Sequence, residues 1–248
     1  MSENYIIITG GNGSIGRALA GKFVFEGFNV ISLDKLAPSV SDQAAEHFLK
    51  CDLTELVNSA VAADQLLEEI NGIVSGGNLI ALVNNAAVQQ LAPVSLVTRD
   101  EWRETLDVNF SAAFFMTQLI LPMLTQAGGS VVNIGSVHAR LTKPSFVAYA
   151  ASKAALAGLT RAMAVDLSGS VAVNCIEPAA VNTAMLQEGF KDCEDSFLGL
   201  GLCHPSGRIG EPAEVAELAY VLATKPGFLN GSTISLDGGI SGRLHDPV

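Results

Sequence analysis

The sequence predicts an α/β protein built on a doubly wound parallel sheet, and two observations carry this prediction. Short runs of β-branched and aliphatic residues recur along the chain, and longer segments with helical periodicity lie between them. Strands this apolar are typical of a sheet covered on both faces, and helices between parallel strands form right-handed crossovers. The predicted strands are 5–8, 30–33, 79–83, 131–134, 171–176 and 233–236.

Length and composition fit a single domain over residues 1–248. A chain of 248 residues that is 49% hydrophobic can bury one substantial core, and no linker or fixed-period repeat divides it. The 14 Lys and Arg against 25 Asp and Glu give a net charge of -11. Because this charge repels phosphate backbones and anionic membranes, we expect neither a nucleic-acid partner nor a membrane partner.

The sequence does not indicate export, anchoring or metal binding. No basic region precedes the first apolar run, and no apolar stretch approaches the roughly 18 residues that a membrane helix needs. The four cysteines and four histidines show no metal-ligand spacing, and the cysteines are too sparse for a disulfide framework. We therefore expect reduced thiols, a cytoplasmic location and no metal site.

Residues 56–74 have helical periodicity and predict one amphipathic helix. A third, weaker strand is expected before Asp52. The apolar stripe of the helix is predicted to contain Leu56, Ala60, Ala63, Leu67, Ile70 and Val74.

A glycine-rich turn joins the first strand to the first helix. Such a turn lets the backbone approach a pyrophosphate, whose charge then rests on the N–H groups and dipole at the helix start. A plain tight turn is the alternative, and the flanking strand and helix favour the dinucleotide site. The predicted cofactor-binding residues of the turn are Gly10, Asn12, Gly13, Ser14, Ile15 and Gly16.

Asp34 follows the second strand, 18 residues after Gly16. An acidic residue near this spacing hydrogen-bonds the ribose hydroxyls of NAD, and its carboxylate repels the 2′-phosphate of NADP. Lys35 could offset part of that repulsion, and a turn-capping role for Asp34 is the alternative. The sequence favours NAD over NADP.

Two further segments are candidates for the cofactor site. Asp52 ends the third strand and could accept a hydrogen bond from an adenine amino group, with neighbouring Leu53 beside it. A helix N-cap at Asp52 is an equal alternative. Asn85 and Ala86 follow the fourth strand, where small residues let a cofactor lie against the backbone, although the stretch alone indicates only a loop.

Tyr149 and Lys153 begin a predicted helix four residues apart, so both side chains lie on one face. A free phenol has a pKa near 10, and lowering it to neutrality requires about 4 kcal/mol. One charge about 4 Å away contributes roughly that amount at an effective dielectric of about 20. Ser136 follows the strand 131–134, where a hydroxyl can hold a reacting oxygen. A polar-tipped Tyr, a solvated Lys and a loop Ser are the alternatives.

Together these residues resemble the short-chain dehydrogenase/reductase family from Thr9 to Gly239, in order and in spacing. The resemblance implies a Rossmann-like domain that binds a nicotinamide cofactor and transfers hydride between it and a secondary alcohol or ketone. It also extends to several further positions, which are Asn109, Pro178, Thr183, residues 207–212 and residues 237–239.

The resemblance implies a catalytic set of Asn109, Ser136, Tyr149 and Lys153. Tyr149 would be the acid/base, Lys153 would lower its pKa and hold the nicotinamide ribose, and Ser136 would orient the reacting oxygen. Asn109 would hold a water that relays protons, with a structural Asn as the alternative. Pro178, Val181 and Thr183 would line the cofactor site, with a helix cap as the alternative for Thr183. Ser14, Ala87 and Ala179 stand where the family usually has glycine.

Substrate choice is expected to depend on the loop 184–206, which contains His204, and on the stretch between Ser136 and Tyr149, which contains His138 and Arg140. Arg140 and Lys143 favour a hydroxy acid or another polyhydroxylated or anionic alcohol, sugars and polyols included, and two solvated loop cations are the alternative. A carrier-protein substrate is disfavoured, because an acidic carrier would meet a surface of the same sign.

Other classes of function remain open at this point. The chain could be a nicotinamide-binding sensor or scaffold without turnover, or an epimerase or dehydratase that retains NAD. The apolar segment 110–124, which the family commonly pairs between subunits, predicts a homotetramer or a homodimer.

Overall fold

The computed structural model describes residues 2–38, 45, 47–191 and 194–244. It confirms the α/β fold class. The described strands are β1 (Asn4–Thr9), β2 (Asn29–Asp34), β3 (His47–Lys50), β4 (Asn78–Asn84), β5 (Ser130–Ile134), β6 (Ala172–Pro178) and β7 (Thr233–Leu236). The described helices are α1 (Ser14–Phe25), α2 (Leu53–Asn58), α3 (Ala60–Val74), α4 (Arg99–Leu106), α5 (Ala112–Ala127), α6 (Val147–Asp166), α7 (Ala184–Gly189), α8 (Glu194–Cys203) and α9 (Pro212–Thr224).

All strand pairs in the described sheet are parallel, in the order β3-β2-β1-β4-β5-β6-β7. The order reverses between β1 and β4, and ligands bind at such a switch point in open α/β sheets. The sequence prediction of doubly wound topology is therefore correct.

Side chains that alternate along each strand form the two cores. Ile6 and Ile8 of β1 pack with α1 and α9 on one face of the sheet. Ile7 points to the other face, where it joins the core formed with α3, α5 and α6. Because both faces are covered, every central strand reads as a continuous apolar run, which is why the sequence located them.

The predicted single helix over 56–74 is interrupted. Ser59 has extended backbone, and its hydroxyl accepts a hydrogen bond from the Ala62 N–H at 3.2 Å, so it ends α2 and caps α3. The break rotates the stripe, which leaves Ala60 exposed and brings Leu66 into the core. The prediction for Ala60 is therefore wrong.

One continuous helical run, Arg99–Ala127, is long and apolar enough to cross a membrane by length and composition. The expectation that no stretch reaches this length is thus not met. Its apolarity has a local cause, because Met116, Ile120 and Leu124 are fully buried and α5 contacts β4 and β5. This is the pattern of a core helix. A π-helical turn, Asp107–Ser111, joins α4 to α5 within the run.

Candidate active site

A cavity of about 750 Å³ lies along the carboxyl ends of the strands. Segments that follow β1 to β6 line it, together with α7 and part of α8. The predicted loop 184–206 is therefore largely helical where it is described, and Cys193 lies outside the described residues. The lining contains most of the predicted site, namely Gly10, Gly13, Ser14, Ile15, Gly16, Asp34, Asp52, Leu53, Asn85, Ala86, Ser136, His138, Tyr149, Lys153, Pro178, Val181, Thr183 and His204.

The glycine turn fits a bound pyrophosphate. Gly10 has a φ of 64°, and a Cβ there would lie 2.8 Å from the Cα of Ala86. A Cβ on Gly16 would collide with the carbonyl oxygen of Gly10. No side chain caps the start of α1, so the first-turn N–H groups are available to an anion at the cavity wall.

Two residues of the glycine turn, Asn12 and Ser14, make hydrogen bonds to other segments of the chain. Asn12 does not line the cavity, whereas Ser14 does. The Asn12 backbone N–H donates to Asp34 Oδ2 at 3.0 Å, and the Asn12 amide donates to the Leu36 carbonyl, so Asn12 ties the turn to the end of β2. Ser14 Oγ accepts from the Ala184 N–H at 3.1 Å, which fastens the turn to α7. Asn12 therefore connects the glycine turn to the end of β2, and Ser14 connects it to the start of α7.

The two candidate carboxylates, Asp34 and Asp52, each accept backbone hydrogen bonds as caps do, and each also lines the cavity. Asp34 accepts from the Asn12 and Leu36 N–H groups, as a turn cap does, and it also lines the cavity. Asp52 accepts from the Thr54 N–H at 2.9 Å as the N-cap of α2 and lines the same cavity. Lys35 Nζ lies 2.9 Å from Asp52 Oδ2, and this contact lowers the pKa of Asp52. The Lys35 charge is therefore already paired.

Asn85 braces the floor of the cavity. Its side chain donates to the carbonyls of Thr9 and Gly10, each at 3.0 Å, so it holds the end of β4 against the glycine turn. Thr9 Oγ1 accepts from the N–H groups of Asn85 and Ala86 in return. Thr9 therefore braces the end of β4, a role that the sequence analysis did not assign to it.

Tyr149 and Lys153 lie on one face of α6, as predicted. Lys153 is 2% exposed, its Nζ donates to the Ile134 carbonyl at 2.8 Å, and it lies 5.7 Å from the centroid of the Tyr149 ring. Burial lowers the pKa of Lys153 to about 8. Ser136 follows β5 and is buried beside Tyr149.

The predicted direction of the Tyr149 pKa is wrong. Burial raises the pKa of Tyr149, and its hydrogen bond with Ser136 opposes that effect without reversing it. At the observed 5.7 Å from the ring centroid, a unit charge contributes about 3 kcal/mol at an effective dielectric of about 20. The ammonium is instead directed at the Ile134 carbonyl, so desolvation of the phenolate dominates.

Asn109 lies in the π-helical turn and is 2% exposed. Its amide nitrogen donates to the Val88 carbonyl at 2.9 Å and to Ser152 Oγ at 3.1 Å, and its oxygen accepts from the Val88 N–H at 2.8 Å. Ser152 in turn donates to the Tyr149 carbonyl at 2.7 Å. Asn109 therefore connects the segment after β4 to α6. Its predicted water-holding role stays a prediction.

Arg140 does not line the cavity, contrary to the prediction for a substrate residue. Its Nε donates to Glu177 Oε2 at 2.9 Å, and its terminal nitrogen donates to Ser235 Oγ at 2.6 Å. Glu177 is 1% exposed, and a buried carboxylate without a partner is costly, so it draws Arg140 across β6. The sequence gives no indication that Glu177 pairs with Arg140, because Glu177 lies inside a strand.

The other two predicted substrate residues, His138 and His204, line the cavity. The His138 ring stacks on Phe146 at 4.4 Å and meets the Tyr149 ring edge-on at 5.8 Å. Thr183 lines the cavity and also caps α7, because its hydroxyl accepts from the Leu186 N–H. Ala87 and Ala179, which stand where the family usually has glycine, line the cavity as well.

Comparison with known proteins decides the family. The model of the short chain dehydrogenase family matches residues 4–194. The chain belongs to this family.

Relatives of this short-chain dehydrogenase act on varied substrates. It is 31% identical to the 3-oxoacyl-[acyl-carrier-protein] reductase FabG of Thermotoga maritima, over 94% of this chain and 96% of that protein. It is 30% identical to the D-threitol dehydrogenase of Mycolicibacterium smegmatis, over 94% and 91%. The ligand-free aldohexose dehydrogenase of Thermoplasma acidophilum superposes with a TM-score of 0.91 at 29% identity, covering 100% of this chain and 97% of that one. The resemblance and the Rossmann-like fold are confirmed, and the chain is an oxidoreductase of the alcohol/ketone type that uses a nicotinamide cofactor.

Proposed function

We propose that this short-chain dehydrogenase uses NAD to oxidise a secondary hydroxyl of a sugar or polyol, or to reduce the corresponding ketone. One observation carries the proposal: the same cavity contains the Ser136, Tyr149 and Lys153 side chains and the glycine turn with Asp34. The names of the threitol and aldohexose dehydrogenases support the substrate class.

The proton chemistry belongs to Tyr149. Because burial raises its pKa, the phenol is protonated at neutral pH and can donate a proton to a ketone oxygen. In the direction of alcohol oxidation, the phenol must first release its proton to solvent in the cavity and then accept the substrate hydroxyl proton at Oη, so each turnover releases one proton to solvent. Ser136 Oγ already accepts from the His138 N–H, so its own hydrogen can be donated to the reacting oxygen. Bound NAD supplies the hydride acceptor, and the protein supplies position and charge.

Lys153 would act on both the Tyr149 phenolate and the nicotinamide ribose. Its buried ammonium stabilises negative charge on the phenolate and can donate to the nicotinamide ribose, for which it is the predicted ligand. A sensor or scaffold has no need of a buried Lys whose pKa falls to about 8 beside a Tyr, because burying that charge costs free energy. This pair therefore supports catalysis over binding alone.

The substrate wall favours a neutral polyol over a hydroxy acid. Arg140 is paired with Glu177 and does not line the cavity. Lys143 does line it, and its ammonium lies over the Phe146 ring, 4.7 Å from the centroid, so one of the two predicted cations is engaged elsewhere and the other packs on an aromatic face. The stack of His138 on Phe146 offers an apolar face to the C–H side of a sugar or polyol. An acyl carrier protein stays disfavoured by the net charge of -11.

NAD preference rests on Asp34 and on the pairing of Lys35 with Asp52. We expect Asp34→Asn to lower the ratio of kcat/KM with NAD to kcat/KM with NADP by about 10-fold or more, since a hydrogen bond to a charged group contributes about 1.5–3 kcal/mol. The measurement is nicotinamide absorbance with a panel of sugars, polyols, hydroxy acids and cyclic alcohols. Asp64→Asn on the exposed side of α3 is the matched control. Activity of the wild type with NADP alone would contradict NAD preference.

The subunit arrangement and location are part of the proposal. Phe114 and Phe115 on α5 are partly exposed and pack edge-on against each other at 5.3 Å, which suits pairing of this helix between subunits. We propose a homotetramer, with a homodimer as the alternative, in the cytoplasm. Size-exclusion chromatography with light scattering measures the subunit number.

A further inference from the structure

The cavity wall contains one buried imidazole, His204, that has no part in the proposed proton chemistry. It follows α8 directly, it is 3% exposed and it lines the cavity. Its Nδ1 lies 2.9 Å from the Leu200 carbonyl oxygen. Because a carbonyl only accepts, Nδ1 must carry the hydrogen of this bond. In the neutral ring the other nitrogen, Nε2, then presents a bare lone pair.

Nε2 of His204 is buried and has no hydrogen-bond partner within the described part of the chain. A buried acceptor without a partner is costly, and such groups in native proteins call for an explanation. Four other buried side-chain atoms of the described residues also have no partner. Glu177 belongs to the Arg140 ion pair, the hydroxyls of Ser32 and Thr233 do not line the cavity, and the fourth atom, Nδ1 of His138, belongs to a residue that does line it. His138 stands at the Tyr149 ring, where the reacting hydroxyl is expected.

We propose that His204 Nε2 accepts a hydrogen bond from a second hydroxyl of the substrate. This inference rests on the proposed function and narrows it: the substrate is a neutral molecule with at least one free hydroxyl besides the one that reacts. The lone pair fixed by the Leu200 contact favours an O–H donor and repels a carboxylate, so it disfavours hydroxy acids. Because His204 comes from the α8 side and Tyr149 from α6, the two contacts fix the orientation of the substrate as well as its class.

The test compares alcohols that share a carbon skeleton. We expect wild-type kcat/KM with NAD to be about 10- to 100-fold higher for myo-inositol than for cyclohexanol, or for threitol than for sec-butanol, because removing the donor leaves Nε2 unpaired. His204→Phe removes the acceptor and is expected to abolish this preference. His204→Gln keeps an acceptor oxygen and is expected to restore part of it. Cys203→Ser, the exposed neighbour, is the matched control and keeps the preference.

The preference is a ratio measured on one preparation, so a partly unfolded variant does not distort it. Thermal unfolding and NADH fluorescence titration are measured in parallel on each variant. Wild-type turnover of cyclohexanol and sec-butanol alone, or an unchanged ratio in His204→Phe, would overturn the inference and leave NAD-dependent alcohol oxidation intact. Failure of all four alcohols to reduce NAD would contradict the proposed function itself, and the inference with it.

Discussion

Replacement of Tyr149 by Phe is expected to lower kcat for alcohol oxidation by about 10²- to 10⁴-fold, the range that a positioned acid/base contributes. The substitution removes only the phenolic oxygen. The ring keeps its edge-on contacts with His138 and Phe146, at 5.8 and 6.1 Å, so the packing of α6 is retained. Cofactor affinity, measured by NADH fluorescence, and the thermal unfolding midpoint are therefore expected to stay near the wild-type values.

The control for this variant is Tyr220→Phe. Tyr220 lies on α9, packs against Phe23 and Phe28, and does not line the cavity. The Tyr220→Phe variant also loses a phenolic oxygen, but one that lies away from the cavity, so its kcat is expected to match that of the wild type. Near-normal turnover of Tyr149→Phe would exclude the phenol as the acid/base.

Replacement of Lys153 by Met is expected to lower kcat/KM by about 10²- to 10³-fold, the loss measured when a preorganised electrostatic group is removed from an active site. The same change is expected to stabilise the fold near neutral pH. Burial lowers the pKa of Lys153 from 10.5 to about 8, and this difference corresponds to an unfavourable term of about 3 kcal/mol while the amine is protonated. Loss of the bond to the Ile134 carbonyl offsets part of the gain.

The sign of the pH dependence identifies the cause. A Lys with a lowered folded-state pKa destabilises the fold below that pKa, and the penalty disappears as the pH rises from about 8 to 10.5. The stability advantage of Lys153→Met in urea unfolding should therefore shrink over this range. Lys225→Met, at the exposed end of α9, is the control and should show neither effect. Equal stability curves for Lys153→Met and the wild type would contradict a buried charge.

The strands of the fold were predictable because a strand covered on both faces consists almost entirely of apolar residues. The six predicted strands were located to within two residues because both faces of the sheet are covered. Strand β3 was harder, since it lies at the edge and its residues are only half-buried. The helix break at Ser59 was missed because a hydroxyl that caps a helix cannot be told from a surface Ser by periodicity alone.

The sequence predicted most residues that line the cavity, but it did not predict the direction of the Tyr149 pKa or the partner of Arg140. The spacing of Tyr149 and Lys153 on one helix face follows from helical geometry. The direction of the Tyr149 pKa does not, because desolvation depends on every segment that covers the ring. Arg140 was misassigned because its partner Glu177 lies 37 residues away on β6. The contact of Asn109 with Val88 likewise depends on a π-helical turn that the sequence pattern does not predict.

The most direct measurement follows deuterium from the carbinol carbon of an oxidised alcohol, read by mass spectrometry of the cofactor. Hydride transfer in the cavity around Tyr149 predicts that the label appears in NADH, with a transfer rate that Tyr149→Phe reduces in proportion to kcat. Label that stays in the product or passes to water without net NADH formation would contradict it, and would indicate an epimerase or dehydratase instead.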